Sequence, residues 1–187
     1  MLDENKRLIS RYFSYLAESF PVMCASDEFH FLPRAEEAAL HYDRMESLDA
    51  KVVEERISDL KSFRNEFEIL RKRSSGNKEG RKSGTSLENT MDLELLSSNA
   101  TGVLIELEGK ASWRFNPLVY LKIAFIGLHH AAEKPCDDEK ERSARSLGRL
   151  FQVPRLFQEA LGNIEAVPES CFGPSLAMIE DAKMYLW

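Results

Sequence analysis

Apolar residues return along this chain at intervals of three and four, with charged residues between them, from Leu8 almost to the last position. Leu8, Ile9, Tyr12, Phe13, Leu16 and Phe20 mark one stripe and predict a first helix over about Asp3 to Phe20, where Pro21 forbids continuation. The next stretch, PVMCASDEFHFLP, lies between prolines 21 and 33 and is rich in aromatics for a connector, so it is expected to pack against the core. Pro33 suits the first turn of a second helix carrying Ala35, Ala38, Ala39, Tyr42 and Met45. A third, capped by Ser47 or Asp49, shows the clearest period: Val53, Ile57, Leu60, Phe63 or Arg64, Phe67 and Leu70.

The pattern breaks at residues 71 to 86, RKRSSGNKEGRKSGTS, a composition too polar to offset the entropy of ordering, which predicts a mobile loop. Thr85 to Glu88 fits a capping box for a fourth helix through Leu93, Leu96, Val103, Leu104 and Leu107, with Gly109 as its stop. Asn116-Pro117 caps a fifth, running through Tyr120, Leu121, Ala124, Phe125 and Leu128 until Pro135 closes it. Asp138 with Glu141 opens a sixth through Ala144, Leu147 and Leu150, and Pro154 a seventh with Leu156, Phe157, Ala160, Leu161 and Ile164. The last is expected from Gly173 or Pro174, carrying Leu176, Ala177, Ile179, Met184 and Leu186. Together these predict an all-α fold: a bundle of seven to eight helices in one domain over residues 1 to 187.

Composition agrees, since 43% hydrophobic and 30% charged residues make a globular chain long enough to bury a core. Cys24, Cys136 and Cys171 are odd in number and far apart, so they read as reduced thiols rather than a disulfide framework or zinc ribbon. The N-terminus has no signal pattern and no apolar run reaches membrane-spanning length, which reads as a soluble cytoplasmic protein without membrane contact. Charge is uneven. Residues 71 to 86 hold six basic side chains and one acid, a local +5, which leaves −11 for the rest of a chain at −6. An acidic body argues against nucleic acid as a partner, and the basic segment reads as a solvated connector.

Candidate chemistry centres on GLHHAAEKP, residues 127 to 135. On a helix His129 and Glu133 are four apart and His130 and Glu133 three apart, so either pair could share a face and bind a cation. The zincin order HExxH is not met, adjacent histidines point about 100° apart, and a catalytic zinc wants three protein ligands, with only His30 and His41 as further histidines. The plainer expectation is a helix C-terminus where imidazoles meet the negative end of the dipole. Cys24 lacks a nucleophile signature and reads as a core cysteine, no phosphate-binding glycine loop occurs, and Trp113 and Trp187 read as packing residues. No residue is assigned a catalytic or cofactor-binding role; His129, His130 and Glu133 stand as the metal candidates.

Several stretches in combination, RYFSYLAESFPVMCASDEFHFLPRAEE, ISDLKSFRNEFEIL, MDLELLSSN, WRFNPLVYL and RSARSLGRLFQVPRLFQEALGNIEAVPES, give the chain a resemblance to a known family. It resembles the N-terminal region of the bacterial domain-of-unknown-function 885 family, helical proteins that look like zinc metallopeptidases. The last stretch carries Arg149-Leu150, Val153-Pro154, Ala160 and Asn163 of the family's pattern. In that family the HExxH and its third glutamate ligand lie in a C-terminal part with no counterpart here, so the resemblance implies zinc only in longer members. It implies for this chain a helical module that acts through association, as a homo-oligomer or with a C-terminal partner that covers an apolar face. The alternatives are a truncated part of a zinc-dependent peptidase-like hydrolase, suggested by the apolar end at Leu186-Trp187, and a small metal-binding protein.

Overall fold

Every regular element in the computed structural model is helical; it describes residues 2–76 and 84–186, with side chains over 4–73 and 90–184. Seven α-helices are found among these residues: α1 (Leu2–Ser19), α2 (Ala50–Gly76), α3 (Gly84–Leu104), α4 (Pro117–Glu133), α5 (Glu139–Leu150), α6 (Val153–Asn163) and α7 (Glu169–Leu186). None is long and apolar enough to cross a membrane.

The stripe read on the first helix is the buried face of α1: Leu8, Tyr12, Leu16 and Ala17 are all in the core. Tyr12 meets Phe67 of α2 edge to face at 5.2 Å and donates to Asn99 Oδ1 of α3 at 2.7 Å, so one side chain ties three helices. Arg11 pairs with Glu66 and Arg73 with Glu4, which sets α1 antiparallel to α2. Lys61 pairs with Glu108 and Ser97 bonds Glu68, which sets α3 antiparallel to α2. These contacts report register; the seam of Val53, Leu60, Phe63, Phe67 and Leu70 against Leu93, Leu96, Ala100 and Val103 supplies the stabilisation, since exposed ion pairs contribute little.

The second half is built around α4. Asn116 accepts from the Leu118 N–H at 3.1 Å with Pro117 at the first helical position, the start expected from the sequence. Tyr120, Ile123, Ala124, Gly127 and Ala131 bury one face of the helix, and α5, α6 and α7 pack on it. Asp138 accepts from the Glu141 N–H at 2.8 Å, and the Glu141 carboxylate accepts from the Asp137 N–H, a reciprocal cap for α5. The connector after α1 is packed inward as expected, with Phe29 and Leu32 buried.

Four expectations need correction. The second predicted helix is only a six-residue 3-10 turn, Glu36–His41, because the backbone beyond Tyr42 is drawn out to meet side chains of α6. The basic segment 71 to 86 is helical at both ends, within α2 to Gly76 and within α3 from Gly84; the rest of it and the side chains of the Thr85–Glu88 capping box lie outside the described residues. Gly109 does not stop the fourth predicted helix. A π-helical turn, Ile105–Lys110, carries through it, and the left-handed residue is Ala111, φ 49°. Finally, α7 starts at Glu169, and Pro174 lies inside it on the exposed side, where water can serve the carbonyl its missing N–H leaves.

Candidate functional site

Between the 3-10 turn and α2, residues 43 to 48 run without regular secondary structure along α6. A backbone outside helices and sheets must find partners elsewhere. Here they are polar side chains from the end of α5 and from α6, met in order. Arg149 Nε donates to the Arg44 carbonyl at 3.0 Å. Gln152 donates to the Asp43 carbonyl and accepts from the Met45 N–H, both at 2.9 Å. Arg155 Nη2 donates to the Met45 and Glu46 carbonyls at 3.3 and 3.2 Å. Glu159 accepts from the Leu48 N–H at 2.6 Å and the Ser47 hydroxyl at 2.8 Å. Asn163 donates to the Leu48 carbonyl at 2.6 Å.

The grip leaves three side chains of the strap, Met45, Glu46 and Leu48, buried. Two glycines let the helices come this close. A Cβ on Gly148 would stand 2.8 Å from the Asp43 carbonyl oxygen, and one on Gly127 would stand 3.1 Å from both the Met45 methyl and Val22 Cγ2. The polar chain continues outward. Asn163 Nδ2 also donates to the Tyr120 hydroxyl at 2.9 Å, Tyr120 donates to the Trp113 carbonyl at 2.7 Å, and Trp113 Nε1 donates to the Leu107 carbonyl at 2.9 Å. Trp113 is thus the packing residue expected, with its one polar atom satisfied; Trp187 lies outside the described residues.

Beneath the strap is a buried charge cluster. Glu46 Oε1 accepts from the Val22 and Met23 N–H groups at 2.8 and 2.6 Å, closing the start of the short 3-10 turn Met23–Ala25. Burial pushes the Glu46 carboxyl above its ordinary value, opposed by the Met23 N–H and by Arg149 and Arg56 nearby. Arg149 is fully buried, donates to the Gly127 carbonyl as well as to Arg44, and is pushed down to about 10 by burial. Glu46 Oε2 and Arg149 Nη2 are both buried without a hydrogen-bond partner among the described residues. Cys24 is buried here with its Sγ on the Leu16 carbonyl, and burial raises its thiol pKa, which disfavours the reactive thiolate and suits a core cysteine.

The metal candidates fall at the end of α4. His129 and Glu133 are exposed and His130 is half-buried, with its ring 6.2 Å from that of His129. Burial, then Lys134, Arg149, His129 and Arg34, hold His130 down to about 4. A cationic surrounding favours neutral imidazole and disfavours a bound cation equally. His30 is exposed and His41 half-buried on other elements. Among the described residues no group of three or more His, Cys, Asp or Glu side chains is arranged to hold a metal ion.

On the last three helices large apolar side chains stand exposed among charged ones such as Arg142, Glu180 and Asp181. Leu147, Leu150 and Phe151 share a face of α5 by their spacing, Leu161 stands on α6, and Phe172, Leu176 and Met184 on α7; Phe151, Leu161 and Met184 are 77%, 76% and 78% exposed. A shorter stripe, Met91 and Leu95, lies on α3. The strap and its ladder were missed in the sequence because the predicted seventh helix was read from its apolar positions alone; the signal was Gln152, Arg155, Glu159 and Asn163, polar residues themselves recurring at three and four. No protein-family model, no curated protein and no solved structure matches this chain.

Proposed function

We propose that the chain is a helical module that acts by protein association rather than by catalysis, and that the occupant of its apolar outer face is a second copy. The observation that carries this is the concentration of large, exposed apolar side chains on α5, α6 and α7. Apolar surface in water is unfavourable by about 25 cal/mol per Å², and contiguous patches of it mark interaction surfaces. The polar groups of the same helices support the reading from the other side. Arg149, Gln152, Arg155, Glu159 and Asn163 are directed at the chain's own backbone and not outward. A stripe on one helix face is easily made self-complementary about a two-fold axis, the commonest symmetry of oligomers.

Sedimentation equilibrium of the purified full chain tests this. Wild type is expected to associate with concentration, and Phe151→Glu combined with Leu161→Glu to abolish association while leaving the helical circular dichroism unchanged. A doubly substituted chain that associates as strongly as wild type would overturn the assignment of the face.

A further inference from the structure

We propose that the cleft between α4 and α7 is a binding site for a small amphiphilic ammonium ligand, an apolar chain ending in a protonated amine. The inference is independent of the association reading, which concerns the outward faces. The cleft encloses about 380 Å³, within the range of about 300–1,000 Å³ of small-molecule sites. From α4 it is walled by Phe125, Ile126 and Leu128, and from α7 by Met178 and Ala182. These are the positions that take up an alkyl chain.

The two remaining lining residues are His129 and Asp181. No lysine or arginine among the described residues lines the cleft, and among them Asp181 is its one acidic side chain. The nearest turn of α4 adds Glu133, four residues beyond His129 on the same side, and the lysine that follows Asp181 on α7, Lys183, is engaged by Glu180 at 2.8 Å. A carboxylate on the lip of an apolar cleft complements a cation whose body is apolar, and the chain's net charge of −6 favours that sign at longer range. A fatty carboxylate of the same length would bring like charges together.

The histidine-glutamate motif at the end of α4 thus borders a cation site of a different kind from the one its spacing suggested: an organic ammonium seated on apolar walls, without metal coordination. The test is titration of the full chain with octylammonium and, separately, octanoate, followed by amide NMR. Octylammonium is expected to saturate one site with shifts concentrated at residues 125 to 129 and 178 to 182. Octanoate should bind at least about tenfold more weakly, and Asp181→Asn should weaken octylammonium about tenfold, the order of one charge-assisted hydrogen bond. Ala182→Leu, which fills the cleft without changing its charge, should weaken both. Absence of saturable binding, equal affinity for the two amphiphiles, or an unchanged affinity in Asp181→Asn would each overturn the proposal.

Discussion

Replacing Glu159 by alanine removes the most heavily used rung of the ladder. In the wild-type chain one carboxylate oxygen accepts from the Leu48 N–H at 2.6 Å, and the other from the Ser47 hydroxyl at 2.8 Å and Arg155 at 2.6 Å. Leu48 is 1% exposed, so its orphaned N–H cannot recover a partner from water without the strap moving. A hydrogen bond to a charged acceptor contributes about 1.5–3 kcal/mol and a buried unsatisfied donor costs about 1–3 kcal/mol. The Ser47 and Arg155 bonds are partly solvated, and Ser47 Oγ retains the Asp49 N–H, so they add little. These are two measures of one loss, which should be about 2–3 kcal/mol, a large part of the roughly 5–15 kcal/mol by which domains are stable. Urea unfolding followed by circular dichroism measures it, with the midpoint falling and the slope unchanged. Glu159→Gln keeps an acceptor for Leu48 and should lose about 1 kcal/mol, whereas Glu165→Ala, at an exposed position beyond α6, should change stability by less than about 0.5 kcal/mol. If Glu159→Ala lost no more than Glu165→Ala, the ladder would not be what holds the strap.

Three further outcomes follow from the same geometry. Gly148→Ala should destabilise by roughly 1–3 kcal/mol despite alanine's higher helix propensity, because its Cβ meets the Asp43 carbonyl at 2.8 Å, whereas Gly162→Ala, with open space around it, should stabilise by about 0.5–1 kcal/mol; thermal unfolding of the pair reads both signs. His130 ordinarily titrates at 6.5 and is held at about 4 in the fold, so the unfolded chain takes up this proton first and the corresponding stability, full above 6.5, is lost as pH falls from 6.5 towards 4. The loss is about 1–2 kcal/mol after allowance for a half-exposed ring, and His130→Leu should flatten the stability profile across that window. Arg149→Met should cost about 3–5 kcal/mol because it removes one of the two guanidinium charges, Arg149 and Arg56, that offset the burial of Glu46 and strips the Gly127 and Arg44 carbonyls; combined with Glu46→Gln in a double-mutant cycle the two losses should fall short of additive by at least about 1 kcal/mol.

The helical architecture was legible wherever burial is one-sided. The stripes on α1, α2 and α4 and the caps at Asn116 and Asp138 predicted elements that the fold contains, because apolar period and capping chemistry act within one turn of chain. Residues 36 to 48 were misread because Ala35, Ala38, Ala39, Tyr42 and Met45 do fall at helical spacing, yet the backbone of 43 to 48 bonds better to side chains more than a hundred positions away. Local propensity yields to such a partner, and no window of sequence contains both halves of it. Arg149 and Asn163 carry no apolar period, and only the structure shows that they grip the two ends of the strap. Gly109 resembles a helix stop because glycine is the usual left-handed residue, but the chain places Ala111 there after a π turn, with Trp113 reaching back to the Leu107 carbonyl. The surroundings of His130, its burial and the charges of Lys134, Arg149 and Arg34, come from three separate parts of the chain and have no signature in the motif itself.

The association reading meets its most direct test in sedimentation equilibrium of wild type and of the Phe151→Glu, Leu161→Glu double variant over a wide concentration range. The account predicts a wild-type mass rising towards that of a dimer and a double variant held at monomer mass. A wild-type chain that remains monomeric at every concentration, with its outward leucines and phenylalanines in water, would contradict it.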